Sequence, residues 1–185
     1  MKNHAKFGLV SCAFLLVLFL TAGTVLAAGT WIITSDGAQI WDPDPQPGET
    51  ASWSGDRDAN GKANGDGILE AYVNGQLQIT YAGPMLAGKV TGQGKITWPS
   101  GSSYAGDLAN WSFEGHGIYQ VADGPSYEGD FVDGKFSGHG HLTYADGSYY
   151  DGAFLNGQLH GQGTLYKADG SVLKQGTWSN GHFNG

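Results

Sequence analysis

The chain has 185 residues, of which 32 are Gly and one is Cys, and its formal net charge is −8. Only 14% of residues are charged while 12% are aromatic, and the glycines recur at fixed intervals among the aromatics, which argues for turn-rich β structure over disorder. The acidic balance argues against nucleic acid as a partner and against attachment to anionic membranes through a basic patch.

Residues 1–27 read as a signal peptide. Lys2 and Lys6 make a basic start, Gly8–Leu20 is an apolar run, and Val25-Leu26-Ala27 is a small-residue site for cleavage before Ala28. The competing expectation is an uncleaved N-terminal membrane anchor, because Phe7–Ala28 is uncharged and long enough to span. Export places the protein in a periplasm or outside the cell. Cleavage removes Cys12 and with it any disulfide or thiolate chemistry. It also removes Lys2 and Lys6, leaving 7 basic residues against 17 acidic ones, a net charge of −10.

Residues 28–52 form a Trp- and Pro-rich N-terminal cap. Trp31–Thr34 and Ala38–Trp41 are expected as short strands around an Asp36-Gly37 turn. Asp42-Pro43-Asp44-Pro45-Gln46-Pro47-Gly48 is an extended connector, because its prolines cannot donate to a ladder. Its expected task is to cover the first edge of the sheet that follows.

From residue 53 the chain repeats. The period is clearest in Tyr127–Tyr149 and Tyr150–Val172, two 23-residue lines that open with Tyr, carry Gly at positions 3, 8, 12 and 14 and Phe at position 5, and close on Ala-Asp-Gly-Ser. The copies are 53–80, 81–103, 104–126, 127–149, 150–173 and a partial 174–185; the first is longer and opens with Trp53 in place of Tyr. Positions 1, 3 and 5 alternate with polar residues, a half-buried strand. Asp133-Gly134, Asn156-Gly157 and Asn180-Gly181 then call for tight turns, as Asn60-Gly61, Asn64-Gly65 and Asn74-Gly75 do in the first copy. Apolar residues at positions 10, 16 and 18 mark a second strand. Each unit is therefore a β-hairpin, and the array is an all-β, elongated, single-layer antiparallel sheet of about eleven strands. Glycines at positions 3, 12 and 14 are expected to leave room for aromatic rings. The third copy has Asn110-Trp111 where others have Asn-Gly or Asp-Gly, so its turn is expected to be reshaped and Trp111 exposed.

These residues resemble the MORN repeat, whose pattern is roughly Tyr-x-Gly-x-aromatic-x-x-Gly-x-x-x-Gly-x-Gly, over about Trp53–Gly185. MORN arrays occur in junctophilins, in plant phosphatidylinositol-phosphate kinases and beside a histone lysine methyltransferase domain. The resemblance implies membrane attachment, self-association or scaffolding, and it lends no catalytic residue. The opening Trp-x-Gly copy is similar to a bacterial exported subgroup, some members of which carry cysteines where this chain has Ala38 and Arg57.

Few residues suggest chemistry. Position 13 forms a polar column, Gln93, His116, His139 and Gln162, with Asp66 by looser alignment. It reads as a hydrated row, because no carboxylate or third ligand is held beside it at fixed spacing, and no metal site or cofactor is assigned. His141 lies on the same strand face as His139. Asp107 and Asp130 recur at position 4, but Pro84 and Ala153 hold that slot elsewhere, so no acid–base pair is assigned. No Gly-x-Ser-x-Gly elbow or phosphate loop is present. The Tyr column at position 1, Tyr81, Tyr104, Tyr127 and Tyr150, is expected to be core, the competing expectation being a groove of exposed rings for sugar or peptide. The last strand lacks a partner from its own repeat, which leaves Trp178 and Phe183, with Trp111, as a possible interaction surface. The expected function is that of an exported, non-catalytic interaction or scaffold protein that binds a protein partner or itself through its sheet or its open C-terminal edge. A cell-envelope carbohydrate- or lipid-binding module is the alternative, and a hydrolase a distant third.

Overall fold

The computed structural model describes residues 29–185; the expected signal peptide lies outside them. Strands β1 (Thr30–Ile33) and β2 (Gln39–Asp42) form a separate hairpin around the Asp36-Gly37 turn. The main sheet begins with β3 (Glu49–Trp53), beside which a two-residue strand, β4 (Asp56–Arg57), also pairs with β5 (Ala63–Val73). It continues through β6 (Gln76–Leu86), β7 (Lys89–Thr97), β8 (Ser103–Ala109), β9 (Ser112–Gln120) and β10 (Ser126–Val132). The last strands are β11 (Lys135–Thr143), β12 (Tyr149–Leu155), β13 (Gln158–Tyr166), β14 (Val172–Ser179) and β15 (His182–Phe183). Spatial order follows chain order from β3 to β15, and all pairings between these strands are antiparallel. The result is one long sheet of consecutive hairpins, as the short turns require.

The turns are set by residue type. Asn74, Asp133, Asn156 and Asn180 lie at φ 49–51° and the glycines after them at φ 71–80°, the left-handed pair that a two-residue hairpin needs. Three of these turns dock on the preceding hairpin: Gly134 N–H donates to Phe113 O, Gly157 N–H to Phe136 O and Gly181 N–H to Leu159 O, at 2.8–3.0 Å. The third copy departs from the expectation. Asn110 (φ 49°) and Trp111 (φ 70°) keep the turn geometry, and docking moves back one residue, Asn110 N–H donating to Val90 O at 2.8 Å. Trp111 is half-buried, not exposed. Its ring meets Tyr81 edge-on at 5.6 Å and its Nε1–H donates to Trp41 O at 3.1 Å, contacts that offset a strained backbone. Asn64-Gly65 is also not a turn but lies inside β5, with Gly65 at φ 74°.

The core is a ladder of rings over glycines. Tyr81, Tyr104, Tyr127 and Tyr150 have no exposed surface at all, so the groove of open rings is ruled out. Tyr104 stacks on Phe113 and Tyr127 on Phe136, both at 3.7 Å between ring centres. Phe131 stands edge-on to Tyr104 and Tyr127 at 5.3 and 5.1 Å, and Phe154 does the same between Tyr127 and Tyr150. A one-layer sheet can bury rings this completely because the strand beneath carries no side chain. A Cβ on Gly117 or Gly140 would sit 2.6 or 2.5 Å from the nearest side-chain atom of Tyr104 or Tyr127. Glycines at positions 3 and 14 pair across strands, in a run Gly94, Gly106, Gly117, Gly129, Gly140, Gly152, Gly163 and Gly176 that crosses eight consecutive strands.

Position 12 has another task. Between Gly129↔Gly140 and Asp130↔Ser137 the register skips, so Gly138 and His139 bulge out of the β10–β11 ladder. Gly138 lies at φ 57°, packed against the Asp130 carboxylate and not against a ring. The bulge leaves the position-4 carbonyl to the Tyr hydroxyl: Tyr104 O–H donates to Asp107 O at 2.7 Å and Tyr127 O–H to Asp130 O at 3.0 Å. That bond satisfies a buried phenol.

The cap covers both an edge and a face. At the edge, Ser35 N–H donates to Ala51 O and Trp53 N–H donates to Asp36 Oδ1, so the β1–β2 turn, not the Pro-rich connector, seals β3. On the face, Trp41 N–H donates to Gly88 O and Gln39 N–H to Gly61 O, burying Ala38 and Ile40.

Candidate binding surfaces

Three surfaces carry polar or unpaired groups. The first is the face of the sheet opposite the rings. Alternation along β10 places Tyr127 and Phe131 in the core and turns Glu128 and Asp130 the other way. The bulge turns position 13 outward as well, where His116 meets Asp130 at 3.4 Å and His139 meets Asp151 at 3.3 Å. His141 reaches the second Asp151 oxygen at 3.5 Å, so one carboxylate bridges two imidazoles. These side chains are 44–71% exposed. Gln162 donates to Thr177 Oγ1 at 3.0 Å. The polar column is thus divided into local pairs. Gln93 and His116 also line an open trough of about 510 Å³ together with Lys95, Ile118 and Glu128. Among the described residues no three His, Cys, Asp or Glu side chains converge as metal ligands. Asp107 and Asp130 flank His116, Asp107 accepting from its backbone N–H at 3.1 Å, so they brace the bulge and do not face each other as an acid–base pair. Sequence reasoning missed this bracing, although Asp at position 4 eight residues before Gly at position 12 was its signal.

The second surface is the C-terminal end. Trp178 is the position-5 ring of the last unit and is buried, edge-on to Tyr150 at 5.4 Å and donating Nε1–H to Gly163 O at 3.1 Å. Phe183 lies half-buried against it at 5.1 Å. The segment after Asn180-Gly181 folds back: Thr177 N–H donates to Gly185 O and Asn184 N–H to Thr177 O. Trp178, Phe183 and Trp111 are therefore packing residues, a correction to the expectation that they form a contact surface. What the fold-back leaves uncovered is backbone. β15 pairs only with Trp178 and Ser179, so among the described residues Val172–Gly176 of β14 has no strand on its outer side. Val172 and Leu173 are 54% and 46% exposed there.

The third surface is the cap. Arg57 binds the Asp36 carboxylate at 2.5 Å and also donates to the Asp36 carbonyl. Burial opposes the Asp36 charge, but hydrogen bonds from Thr34, Arg57 and Trp53 outweigh it and hold the carboxyl down at about 2. In the connector the sign reverses. Burial pushes the Glu49 carboxyl up to about 7, and the neighbouring Asp42 and Asp44 add to the rise against the Gln46 N–H.

Taken together, a hairpin array cored by Tyr over glycine, with a polar outer face, defines a repeat protein. A MORN-repeat family model matches residues 85–103, 127–149 and 150–172. The chain is a MORN-repeat protein. MORN repeats generally mediate protein or membrane-lipid interactions, and proteins built from them are typically non-catalytic. No curated protein matches the chain at a significant score.

Proposed function

We propose that the protein is an exported, non-catalytic scaffold that engages a protein strand, most simply a second copy of itself, along β14. The observation that carries this is the contrast between the two ends of the sheet. The β3 edge is occupied by Ser35 and Asp36, whereas Val172–Gly176 offers unpaired backbone flanked by exposed aliphatic side chains. Thr177 N–H points to the outer side, where it meets Gly185 O, and by alternation the Gln175 N–H points the same way.

Gln175→Pro removes that outward donor without touching the β13 ladder. Light scattering at high micromolar concentration should find the wild type self-associated and the variant monomeric, with the same circular dichroism. A monomeric wild type that captures no strand partner through this edge overturns the proposal. Export is tested by mass spectrometry of the native protein, with an N-terminus at Ala28 expected. A second reading, a carbohydrate ligand on the outer face, draws on the trough beside Gln93, Lys95, His116 and Glu128; glycan-array binding abolished by His116→Ala would favour it.

A further inference from the structure

Asn-Gly occurs at six places, and at three of them, Asn74-Gly75, Asn156-Gly157 and Asn180-Gly181, it forms the centre of a hairpin turn. The three turns share one backbone, with Asn at φ 49–51° and Gly at φ 77–80°. They differ in a hydrogen bond. Gly157 N–H donates to Phe136 O at 2.8 Å and Gly181 N–H to Leu159 O at 3.0 Å, each on the hairpin before. The Asn74 turn joins β5 to β6, the first full hairpin of the array, with only β3 before it. It is tied through Asn74 N–H, which donates to Gly48 O at 3.1 Å, and among the described residues Gly75 N–H has no acceptor. Gly75 is exposed, whereas Gly157 and Gly181 are half-buried.

That N–H matters because an asparagine followed by glycine is open to attack by its own backbone, the glycine having no side chain to block the approach. The Gly75 amide nitrogen bonds to Asn74 Cγ, the Cγ–Nδ2 bond breaks, and the side-chain nitrogen departs as ammonia with the Gly75 proton. Water then opens the cyclic imide at either carbonyl, leaving aspartate or its isoaspartyl isomer. The step needs a nitrogen free to shed its proton and a peptide plane free to turn, and a donated hydrogen bond opposes both. The other Asn-Gly pairs are held in their own ways. Gly61 N–H donates to Asp58 O at 2.9 Å, and Asn64-Gly65 is laddered to β4 and β6. Thr177 O accepts from Asn184 N–H, and Thr177 N–H donates to Gly185 O.

We propose that Asn74 is a modification site, the first of the Asn-Gly turns to deamidate in the folded chain, and that its conversion unties the connector between β2 and β3 from the sheet. Asn74 is the residue by which the β5–β6 turn holds that connector. Besides the bond to Gly48 O, its side-chain oxygen packs over Gly48 so closely that a Cβ there could not fit. The isoaspartyl product threads the main chain through the side-chain carbons, which lengthens the turn and draws the N–H off Gly48 O. Either product adds a negative charge beside a connector that already carries Asp42, Asp44 and Glu49. Val73, next to Asn74, pairs with Glu49, so the first rung of the β3–β5 ladder loosens with the turn.

The test ages the full chain in mildly alkaline buffer, folded and in urea, and follows each Asn-Gly site by peptide mass spectrometry. In the folded chain Asn74 should convert about two- to tenfold faster than Asn156 and Asn180, the span that one hydrogen bond commands. In urea the three rates should converge, because the bonds that separate them are gone. A folded-state rate at Asn74 no faster than at the other two turns, or a ratio that persists in urea, overturns the site. Release of the connector is read by amide exchange at Asn74 and Glu49 in purified isoaspartyl chains, against Asn74→Asp, which carries the same charge on an unaltered main chain. Both amides should exchange faster in the isoaspartyl form. Protection equal to that of Asn74→Asp overturns the release.

Discussion

Replacing Gly140 with Ala tests the ring-over-glycine core most directly. The new Cβ would lie 2.5 Å from Tyr127 Cε2 and Oη and 2.6 Å from Cζ. The ring has no room to withdraw: Phe136 is stacked on it at 3.7 Å, and Phe131 and Phe154 stand edge-on at 5.1 Å. Its hydroxyl is held by Asp130 O at 3.0 Å. Overpacking of this kind costs about 1–3 kcal/mol, and the walled position argues for the upper end. Elsewhere in a strand the same change gains about 0.5–1 kcal/mol from lost Gly entropy. Removing the ring should therefore reverse the sign. Tyr127→Ala alone costs about 3–5 kcal/mol, and adding Gly140→Ala in that background should be neutral or stabilising. Urea unfolding followed by circular dichroism, with amide exchange at β10 and β11 to localise the loss, reads all four species. Additive effects of the two substitutions would refute the account, because Gly140 would then matter for its backbone and not for the space it leaves.

Two further outcomes concern the cap. Asp36 has its carboxyl held below the ordinary value of 3.8, so the stability it lends is present above that value and lost as pH falls toward about 2. Because the group is a third exposed, the effect on cap opening is about 1 kcal/mol, read by tryptophan fluorescence in urea; Asp36→Asn should be weaker at pH 6 and flat below 4. Trp111→Gly restores the preferred Asn-Gly turn but removes the contacts with Tyr81 and Trp41 O, so the cap should lose about 1–3 kcal/mol of protection at the Trp41 amide. A more protected cap in Trp111→Gly would show that the ring contributes nothing there.

Periodicity made the sheet legible. Tyr, Gly and Phe at positions 1, 3 and 5, with Asn-Gly or Asp-Gly at 7 and 8, specify strand, face and turn together, and β10 to β13 follow that reading. Where the reading failed, a contact distant in sequence outweighed a local rule. Trp111 keeps φ 70° because Trp41, 70 residues earlier, accepts its Nε1–H. Asn64-Gly65 stays in a strand because β5 is paired on both sides of that dipeptide, Asn64 facing Asp56 of β4 and Gly65 facing Met85 of β6. The bulge at Gly138 was hidden because positions 12 and 14 are both Gly, and only the first needs a left-handed backbone.

The position of the uncovered backbone limits what assembly it can support. A sheet with two open edges adds copies head to tail without end, since each new copy presents the edge the last one used. Here the β3 edge is closed by Ser35 and Asp36, and the Arg57 clasp on Asp36 holds that closure. In the main sheet, among the described residues, the β14 side is the uncovered one, so the proposed pairing would join β14 to β14, a two-fold and self-limiting interface. The seal on one edge is then as important to the proposed scaffold as the opening on the other. Asp36→Asn combined with Arg57→Ala should loosen the seal and shift the particle from pairs toward chains, seen as rising scattered mass with concentration. Pairs that stay pairs in that double variant would place the limit elsewhere than at the cap.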